Sequence, residues 1–520
     1  MDNQSICPII LTILDGWGYS TQTKGNAIKI ANTPIMDKIL ENYPNTLLTA
    51  SGEDVGLPKN QMGNSEVGHT TIGAGRIINQ DLVRIQKAID NNTFFKNIPI
   101  NNICKITKNR KSKLHIIGLC SNGGVHSHIN HLKATLKIAN KYNNEVCLHL
   151  ITDGRDTKPK IAIKFINEII NEIKIYTNIN ICTISGRYYS MDRDCRWSRT
   201  KKAYKILTEN TVTGNNNNTI KIIEDYYKNN ISDEFIPPTR IKKGNISDND
   251  GILFFNFRPD RIRQLLQSLA KSNFKGFNTK EIKSLIFTTF TEYDSSLKLP
   301  IAFSVQHHQN FLGQIISNNQ LKQLRLAETE KYAHITYFFN GGVEEPFPGE
   351  DRELIPSPKV DTYDLKPEMS AYQITESAIN AIDKNIYKFI VINYSNPDMI
   401  GHTGNLQATI KAVEVIDKCI DKLVDKIEKA NGTCIITADH GNADYMIDEN
   451  NKPCKSHSTN LVPFILIQHN SERLNTLKKN GNLADIAPTI LNILKINIPQ
   501  EMNGKSLISK YNTNTINPSK

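Results

Sequence analysis

Ile435-Ile436-Thr437-Ala438-Asp439-His440-Gly441-Asn442 is an apolar run that ends in an adjacent carboxylate and imidazole. The run has the composition and length of a buried strand bounded by a turn. In sheets of parallel strands covered by helices, ligands bind beyond the carboxyl ends of the strands. The position of Asp439 and His440 therefore predicts a binding or catalytic site at the end of this strand.

Three further segments place the same two residue types beside apolar runs. Asp15 closes the strand-like run Ile9–Leu14, Asp398 and His402 lie four residues apart upstream, and His457 lies downstream. Three aspartates and three histidines can supply the mixed oxygen and nitrogen ligands that hold two divalent cations. Two such cations can stabilise the attacking and leaving oxygens of a phosphoryl transfer. The pattern predicts a two-metal phosphoryl-transfer enzyme.

Length and composition limit the class of protein. A chain of 520 residues exceeds one ordinary hydrophobic core, so two domains are expected. We find no uncharged apolar stretch near about 18 residues and no signal-peptide pattern at the N-terminus, so neither a membrane span nor secretion is expected. The nine cysteines are scattered and contain no Cys-x-x-Cys. This usage favours buried thiols in a reducing compartment, so a cytoplasmic location is predicted.

The net charge of +11 could indicate a nucleic-acid partner. However, the basic residues are spread along the chain without interleaved aromatic residues, and Asn, Lys and Ile are all over-used, as in 105–113. A general composition bias explains the charge better, so no nucleic-acid partner is expected. The asparagine-rich stretch 214–218 is predicted to be a surface loop, and the chain after Leu507 a frayed tail.

A repeated pattern organises the chain: an apolar strand, a polar loop that often contains glycine, and then a helix-like stretch. The predicted strands are Leu114–Leu119, Val146–Ile151, Ile179–Ile184, Ile252–Phe257, Phe389–Tyr394 and 433–436. This alternation predicts an α/β fold with mainly parallel sheets covered by helices.

The loops that follow these strands fall into two chemical groups. Acidic and histidine loops come from both ends of the chain, whereas arginine-rich loops come from its middle. We therefore predict a discontinuous metal-binding domain, 1–79 plus 306–520, with an inserted anion-binding domain, 80–305. The active site is expected in a cleft between them that closes to exclude water.

Ser65 is the candidate nucleophile. It lies in the glycine-rich segment 61–69, where a helix could begin, and free backbone N–H groups at a helix N-terminus stabilise negative charge. A bound metal can favour its alkoxide. The segment is not a Gly-x-Ser-x-Gly elbow, because Val67 stands where glycine is needed. A simple helix-capping role for Ser65 remains an alternative on local sequence alone.

Five motifs, taken together, point to a known family. They are Met-Gly-Asn-Ser-Glu-Val-Gly-His (62–69), Asp-Gly-Arg-Asp (153–156), Tyr-Tyr-Ser-Met-Asp-Arg-Asp (188–194), Phe-Arg-Pro-Asp-Arg (257–261) and Thr-Ala-Asp-His-Gly-Asn (437–442). In this order they resemble the cofactor-independent phosphoglycerate mutases of the alkaline-phosphatase-like metalloenzyme superfamily, from about Pro8 to Lys505. The resemblance implies interconversion of 3-phosphoglycerate and 2-phosphoglycerate through a phosphoserine, without free 2,3-bisphosphoglycerate. It also implies two divalent metal ions, with Mn²⁺ expected and Mg²⁺, Co²⁺ and Zn²⁺ as alternatives.

The resemblance also assigns a role to each matching residue. It implies that Ser65 is both nucleophile and metal ligand. One metal would be held by Asp398, His402 and His457, and the other by Asp15, Ser65, Asp439 and His440. The implied substrate-binding residues are His126, Arg155, Asp156, Arg187, Arg193, Arg258, Arg261 and Lys331. Within that set, Asp156 is assigned a proton transfer, and Lys331 a contact with the phosphoryl group.

Two other kinds of protein share parts of this pattern. A phosphopentomutase or a hydrolytic phosphatase of the same superfamily would keep the metal ligands, but a plain phosphatase has little use for a second, anion-binding domain. A basic binding protein that retains the fold would have to keep every ligand by accident. No segment resembles a coiled coil, so a monomer acting on a small molecule is expected.

Overall fold

The computed structural model describes residues 7–209, 218–306, 308–468 and 476–509. Most of the predicted loop 214–218 therefore lies outside the described residues, and so does the predicted tail after Leu507 except for Ile508 and Ser509, which form a short strand. The chain divides into two compact units, residues 1–80 with 308–520 and residues 81–307.

The first unit is built on an eight-stranded sheet. In spatial order its strands are Glu350–Ile355, Gln323–Glu328, Phe389–Tyr394, Ile9–Leu14, Thr433–Thr437, Val462–Gln468, Asn45–Thr49 and Gly481–Asn482. The first five run parallel, and Val462–Gln468 is antiparallel to both of its neighbours. Ile9–Leu14 is buried along its whole length between Phe389–Tyr394 and Thr433–Thr437. The predicted strand end at Asp15 therefore lies in the middle of the sheet. A separate pair, Thr476–Leu477 and Ile508–Ser509, is antiparallel.

Helices pack against this sheet through one apolar face. They are Ala27–Ile30, Pro34–Asn42, Ser65–Ala74, Leu312–Asn318, Ala371–Asp383, Asn396–Gly401, Leu406–Lys429 and Ile486–Ile493, with a π-helical turn at His334–Phe338. Leu406–Lys429 is the longest, and Asn405 caps its first turn by accepting a hydrogen bond from the backbone of Ala408. Its buried residues Val413, Ile416 and Ile420 recur at three- and four-residue spacing, which directs them to the sheet.

The second unit contains a six-stranded sheet. Its spatial order is Thr239–Arg240, Ile179–Gly186, Val146–Thr152, Leu114–Leu119, Gly251–Phe254 and Ile286–Thr289, all parallel except the first. Its helices are Asp81–Asp90, Ile98–Arg110, Ile129–Lys141, Ala162–Ile173, Arg187–Ser190, Trp197–Thr208, Thr219–Lys228 and Arg263–Ala270. The polar loops at 121–128, 153–160 and 255–262 follow the carboxyl ends of three of these parallel strands.

One predicted strand was too long. The strand at 252 ends at Phe254 rather than Phe257, because the chain there turns to bond with a loop. The backbone N–H of Phe257 donates to the carbonyl of His126, and the Asn256 side chain accepts from the Leu119 backbone at 2.9 Å. The other predicted strands are present, and the predicted α/β class with mainly parallel, helix-covered sheets is confirmed. Within the described residues no helix is long and apolar enough to cross a bilayer.

Candidate active site

Ser65 is the first residue of the helix Ser65–Ala74 and is almost completely buried. Asn64 caps the helix by accepting a hydrogen bond from the Val67 backbone at 2.9 Å. The helix can approach the Asp439 loop closely because residue 68 is glycine, where a Cβ would lie 2.7 Å from the Asp439 carbonyl oxygen. A capping role is therefore carried by Asn64, which leaves the Ser65 hydroxyl available to the site.

The Ser65 hydroxyl meets three side chains from distant parts of the sequence. Its Oγ lies 3.0 Å from His440 Nε2 and 3.2 Å from Asp15 Oδ1. Lys331 Nζ donates to the same Oγ at 2.7 Å. Asp15 and His440 follow neighbouring parallel strands, and Lys331 ends the short 3₁₀ turn after the strand Gln323–Glu328. The sheet thus brings the candidate nucleophile together with predicted metal ligands.

Lys331 links the two groups of predicted ligands. Its Nζ donates to Asp15 Oδ1 at 2.8 Å and to Asp398 Oδ2 at 2.6 Å. Burial acts to lower the pKa of Lys331, but the neighbouring carboxylates of Asp15 and Asp398 outweigh it and raise the pKa, so the ammonium stays charged. Burial and the nearby charge of Asp439 raise the pKa of Asp15. One ammonium therefore faces three buried carboxylates, so the cluster keeps a net negative charge that bound cations can balance.

His402 and His457 converge on the third carboxylate. Both Nε2 atoms lie 3.2 Å from Asp398 Oδ1, and they are 3.0 Å from each other. Each Nδ1 is 2.8 Å from a backbone carbonyl, that of Lys455 for His402 and that of Gly63 for His457. A carbonyl on one ring nitrogen fixes the imidazole so that the other nitrogen can bind a metal. The hydrogen bond to Asp398 raises the pKa of His402, and for His457 it outweighs the opposing effect of burial.

The donor set fits divalent cations. Asp15, Asp439 and His440 form one group, and Asp398, His440 and His457 another, with one ligand atom from each residue within 4.8 Å of the others. Asp439 Oδ2 is buried and makes no hydrogen bond among the described residues, although His69 Nδ1 lies 3.2 Å away. A buried carboxylate oxygen without a hydrogen-bond donor destabilises the folded protein unless a bound ligand or ion interacts with it. Two ligand atoms that each lie about 2.0–2.2 Å from one ion are expected about 3–3.6 Å from each other. The ligand atoms of this site have similar spacings.

One contact goes beyond the set implied by the sequence. The resemblance places His440 with Asp15, Ser65 and Asp439, whereas the structure also groups a ring nitrogen of His440 with Asp398 and His457. The His440 ring stacks on that of His457 with centroids 3.9 Å apart. His402 stays with Asp398 and His457, as the resemblance implies: Asp398 Oδ1 and the two Nε2 atoms lie 3.0–3.2 Å from one another.

In the inserted unit, Arg187 is held by two aspartates. Its Nη1 donates to Asp153 Oδ1 at 2.7 Å and to Asp156 Oδ2 at 2.5 Å, and the side chain is 4% exposed. Burial acts to raise the pKa of Asp153, but hydrogen bonds from Ser121 and Arg187 lower it. Asp153 stands in the quoted motif 153–156, yet its role as a partner of Arg187 was missed.

Asp260 lies close to three more of the predicted residues of this unit. It lies 3.1 Å from Arg258 Nε, 3.3 Å from Arg193 Nη1 and 3.7 Å from His126 Nδ1. Burial and the charge of Arg187 lower the pKa of His126 to about 4, so the imidazole is neutral near pH 7. Asp260 stands in the motif 257–261, but no role for it was predicted from the sequence.

Four of the predicted arginines line a cavity of about 310 Å³ within this unit, whereas Arg258 is not among its lining residues. Its charged lining residues are Arg155, Arg187, Arg193, Arg196, Arg199, Arg261, Asp192, Asp194 and Glu234. Burial lowers the pKa of Arg261, and so do the neighbouring charges of Arg193 and Arg187. Cations outnumber carboxylates, as expected for an anion site. Arg196 and Arg199 were missed, although they follow the motif 188–194 directly.

Comparison with known proteins defines the class. Residues 7–498 match the family model described as the metalloenzyme superfamily, so the chain is a metalloenzyme. A protein from Antithamnion sp. is 67% identical over 98% of this chain and 100% of its own length. A protein from Gracilaria tenuistipitata var. liui is 65% identical over 98% of this chain and 99% of its own. Both are named 2,3-bisphosphoglycerate-independent phosphoglycerate mutase.

A solved structure agrees with these relatives. The crystal structure of Leishmania mexicana phosphoglycerate mutase at low cobalt concentration is 28% identical, with a TM-score of 0.62 over 98% of this chain and 99% of that one. The chain therefore belongs to the 2,3-bisphosphoglycerate-independent phosphoglycerate mutases, enzymes that interconvert 3-phosphoglycerate and 2-phosphoglycerate. The predicted family, fold class and activity are confirmed, and the superfamily alternatives are set aside.

Proposed function

We propose that this chain interconverts 3-phosphoglycerate and 2-phosphoglycerate by transferring the phosphoryl group to Ser65 and back, at a site that holds two Mn²⁺ ions. The observation that carries the proposal is the position of the Ser65 Oγ within 3.2 Å of Asp15 Oδ1, His440 Nε2 and Lys331 Nζ. A hydroxyl at this point has both a cation beside it and metal ligands around it.

The proposed ligands are Asp398, His402 and His457 for one ion, and Asp15, Ser65, Asp439 and His440 for the other. A mixed carboxylate and imidazole set suits Mn²⁺. When bound, the ions lower the pKa of the Ser65 hydroxyl and neutralise phosphoryl oxygens. With neutral histidines, three carboxylates and one ammonium leave a charge of minus two. Two divalent ions reverse that charge and match a phosphate dianion.

The reaction then consists of two in-line displacements. The Ser65 Oγ, present as its alkoxide at the start and end of each cycle, bonds to phosphorus and the bond between phosphorus and the glycerate 3-oxygen breaks. The 2-hydroxyl next bonds to phosphorus and the bond to Oγ breaks, which regenerates Ser65. Lys331 donates to Oγ and can donate to a phosphoryl oxygen. Asp156 would return a proton to the leaving glycerate oxygen and take one from the attacking hydroxyl.

The inserted unit would act as the substrate-binding domain. His126, Arg155, Arg187, Arg193, Arg258 and Arg261 are proposed to hold the glycerate through its carboxylate, since arginine forks bind carboxylates bidentately. Held in this way, glycerate stays bound while its other hydroxyl turns toward phosphorus, and water is kept from the phosphoserine. We also propose a cytoplasmic location, because the cysteines of the described residues are all free thiols. A monomer is proposed because no sequence segment resembles a coiled coil.

Trapping the intermediate tests this mechanism. Enzyme loaded with Mn²⁺ is mixed with 3-phosphoglycerate, quenched in acid, digested and analysed by mass spectrometry for phosphate on the peptide that contains Ser65. A phosphorylated Ser65, absent in the Ser65→Ala variant and present in Thr70→Ala on the same helix, is the expected result. Phosphate on another residue, or product formed by Ser65→Ala, would contradict the proposal.

A further inference from the structure

Two buried side chains behind the metal ligands make contacts that the proposed mechanism does not use. His69 lies one turn after Ser65 on the same helix, and Asn393 is near the end of the strand Phe389–Tyr394. Both are fully buried. Neither belongs to the ligand or substrate sets above, and each touches residues that do.

Asn393 connects Asp15 to His69. Its Nδ2 lies 2.8 Å from Asp15 Oδ2 and 3.0 Å from His69 Nε2. The amide nitrogen carries two hydrogens, and the carboxylate accepts one of them. The second hydrogen is directed at His69 Nε2, which must therefore be the unprotonated nitrogen of the ring.

This hydrogen bond fixes the tautomer of His69. A neutral imidazole that accepts at Nε2 carries its proton on Nδ1. His69 Nδ1 lies 2.8 Å from the Ser65 carbonyl oxygen and 3.2 Å from Asp439 Oδ2. The N–H therefore donates to the backbone of the nucleophile, and its positive end also faces the Asp439 carboxylate.

We propose that Asn393 and His69 form a positioning relay that orients both carboxylates of the Ser65-side metal site and the first turn of the Ser65 helix. The relay runs from Asp15 through Asn393 and His69 to Ser65 and Asp439. By holding Asp15 Oδ2 from behind, it turns Asp15 Oδ1 toward Ser65, 3.2 Å away. This inference rests on the proposed function of Ser65 and its metal ligands.

Loss of the relay is expected to weaken metal binding and lower turnover, and to leave substrate affinity unchanged. Groups that orient metal ligands typically contribute about 10–100-fold to metal affinity or activity. The relay does not involve the arginines of the inserted unit, so the KM for phosphoglycerate is expected to stay within about twofold, since substrate binding is not its role.

The test compares three substitutions at residue 69. His69→Phe keeps the ring and its packing beside His334, whose centroid is 5.6 Å away, but removes both hydrogen bonds. His69→Gln keeps an acceptor toward Asn393, and His69→Asn keeps a donor toward Ser65. Mn²⁺ affinity by titration calorimetry, the Mn²⁺ electron paramagnetic resonance spectrum, kcat and KM are measured for each. Thr70→Ala is the control, because the Thr70 hydroxyl donates to the Glu66 carbonyl of its own helix and lies outside the relay.

A positioning relay predicts that His69→Phe loses most, about 10–100-fold in Mn²⁺ affinity and kcat, with His69→Gln and His69→Asn intermediate. If His69 only fills space, the reverse order is expected, with the phenylalanine variant closest to wild type. That order would overturn the proposal. Should His69→Phe fail to fold, Asn393→Leu tests the same link by removing the donor at similar volume. If wild-type protein itself binds no Mn²⁺ or has no mutase activity, the proposed function fails instead.

Discussion

The two units place opposite chemistries at the same position in similar sheets. In the first unit, carboxylates at the ends of parallel strands lie with imidazoles around Lys331, and Asp439 Oδ2 makes no hydrogen bond within the described part of the chain. In the inserted unit, arginines follow parallel strands and surround a few aspartates. The first arrangement suits cations and the second suits anions. The comparison shows that loop composition, and not sheet architecture, sets what each unit binds.

The largest effect is expected from removing the nucleophile. Ser65→Ala should lower mutase turnover by about 10⁴-fold or more, since no other hydroxyl replaces it among the ligands. Binding of phosphoglycerate should survive, because the arginine site is unaltered. Coupled-assay kinetics and calorimetric binding separate the two quantities. Loss of substrate binding together with turnover would mean that the two chemistries are not divided as described.

Metal removal should affect the same unit. Chelated protein is expected to lose mutase activity to background and to regain it with Mn²⁺, because the carboxylate cluster then keeps uncompensated negative charge. Turnover is measured before chelation, after it, and after addition of Mn²⁺, Mg²⁺, Co²⁺ or Zn²⁺. Full activity in protein shown by elemental analysis to be metal-free would contradict a metal-dependent site.

The position of the proposed metal ligands could largely be predicted from sequence, whereas the side chains that contact them from behind could not. Asp15 and Asp439 stand at the ends of recognisable strands, so pattern alone locates them. Asn393 contacts Asp15 only because the strands Phe389–Tyr394 and Ile9–Leu14 are neighbours in the sheet. Strand order is decided by packing of the whole unit, and nothing local to Asn393 signals it.

The inserted unit shows the same limit. Its arginines were found through their motifs, but Asp260 contacts Arg193 across 67 residues of sequence. Their pairing depends on which loops meet at the edge of the sheet. Arg196 and Arg199 carried no motif of their own, and they are recognisable only once the cavity brings them beside Arg187.

Weakening the anion site should change substrate affinity and the fate of the phosphoryl group. Arg258→Ala is expected to raise KM about 10–100-fold or to divert turnover toward hydrolysis, because a charge-assisted contact with the carboxylate is lost. Released phosphate is measured beside mutase rate. Lys275→Ala removes one positive charge from an exposed position of the same unit and should match wild type. Unchanged kinetics in Arg258→Ala would remove that residue from the site.

In metal-free protein, lowering the pH is expected to have a smaller effect, on the stability of each unit. In the inserted unit, burial lowers the pKa of His126 to about 4 and that of His131 to about 3. The unfolded chain therefore binds more protons than the folded unit below pH about 6.5, and stability falls as the pH drops toward about 4. In the first unit the pKa of His402 and that of His457 are raised, so their protonation stabilises the folded unit as the pH falls. His334 partly offsets this gain, because burial lowers its pKa to about 3.

The chain's two tryptophans lie one in each unit and can report on this difference. Trp197→Phe leaves Trp17 as the reporter of the first unit, and Trp17→Phe leaves Trp197 for the inserted unit. Thermal unfolding followed by fluorescence at pH 7 and pH 5 should show a larger downward shift for Trp197. Equal shifts would show that the buried histidines do not distinguish the two units.

The central claim is a metal-dependent mutase that needs no bisphosphoglycerate. Purified protein is incubated with 3-phosphoglycerate and Mn²⁺, without 2,3-bisphosphoglycerate, then treated with chelator to remove the paramagnetic ion and analysed by ³¹P NMR. The expected result is 2-phosphoglycerate with little inorganic phosphate, absent when the protein is chelated beforehand. Inorganic phosphate alone, or no change with folded, metal-loaded protein, would contradict the account.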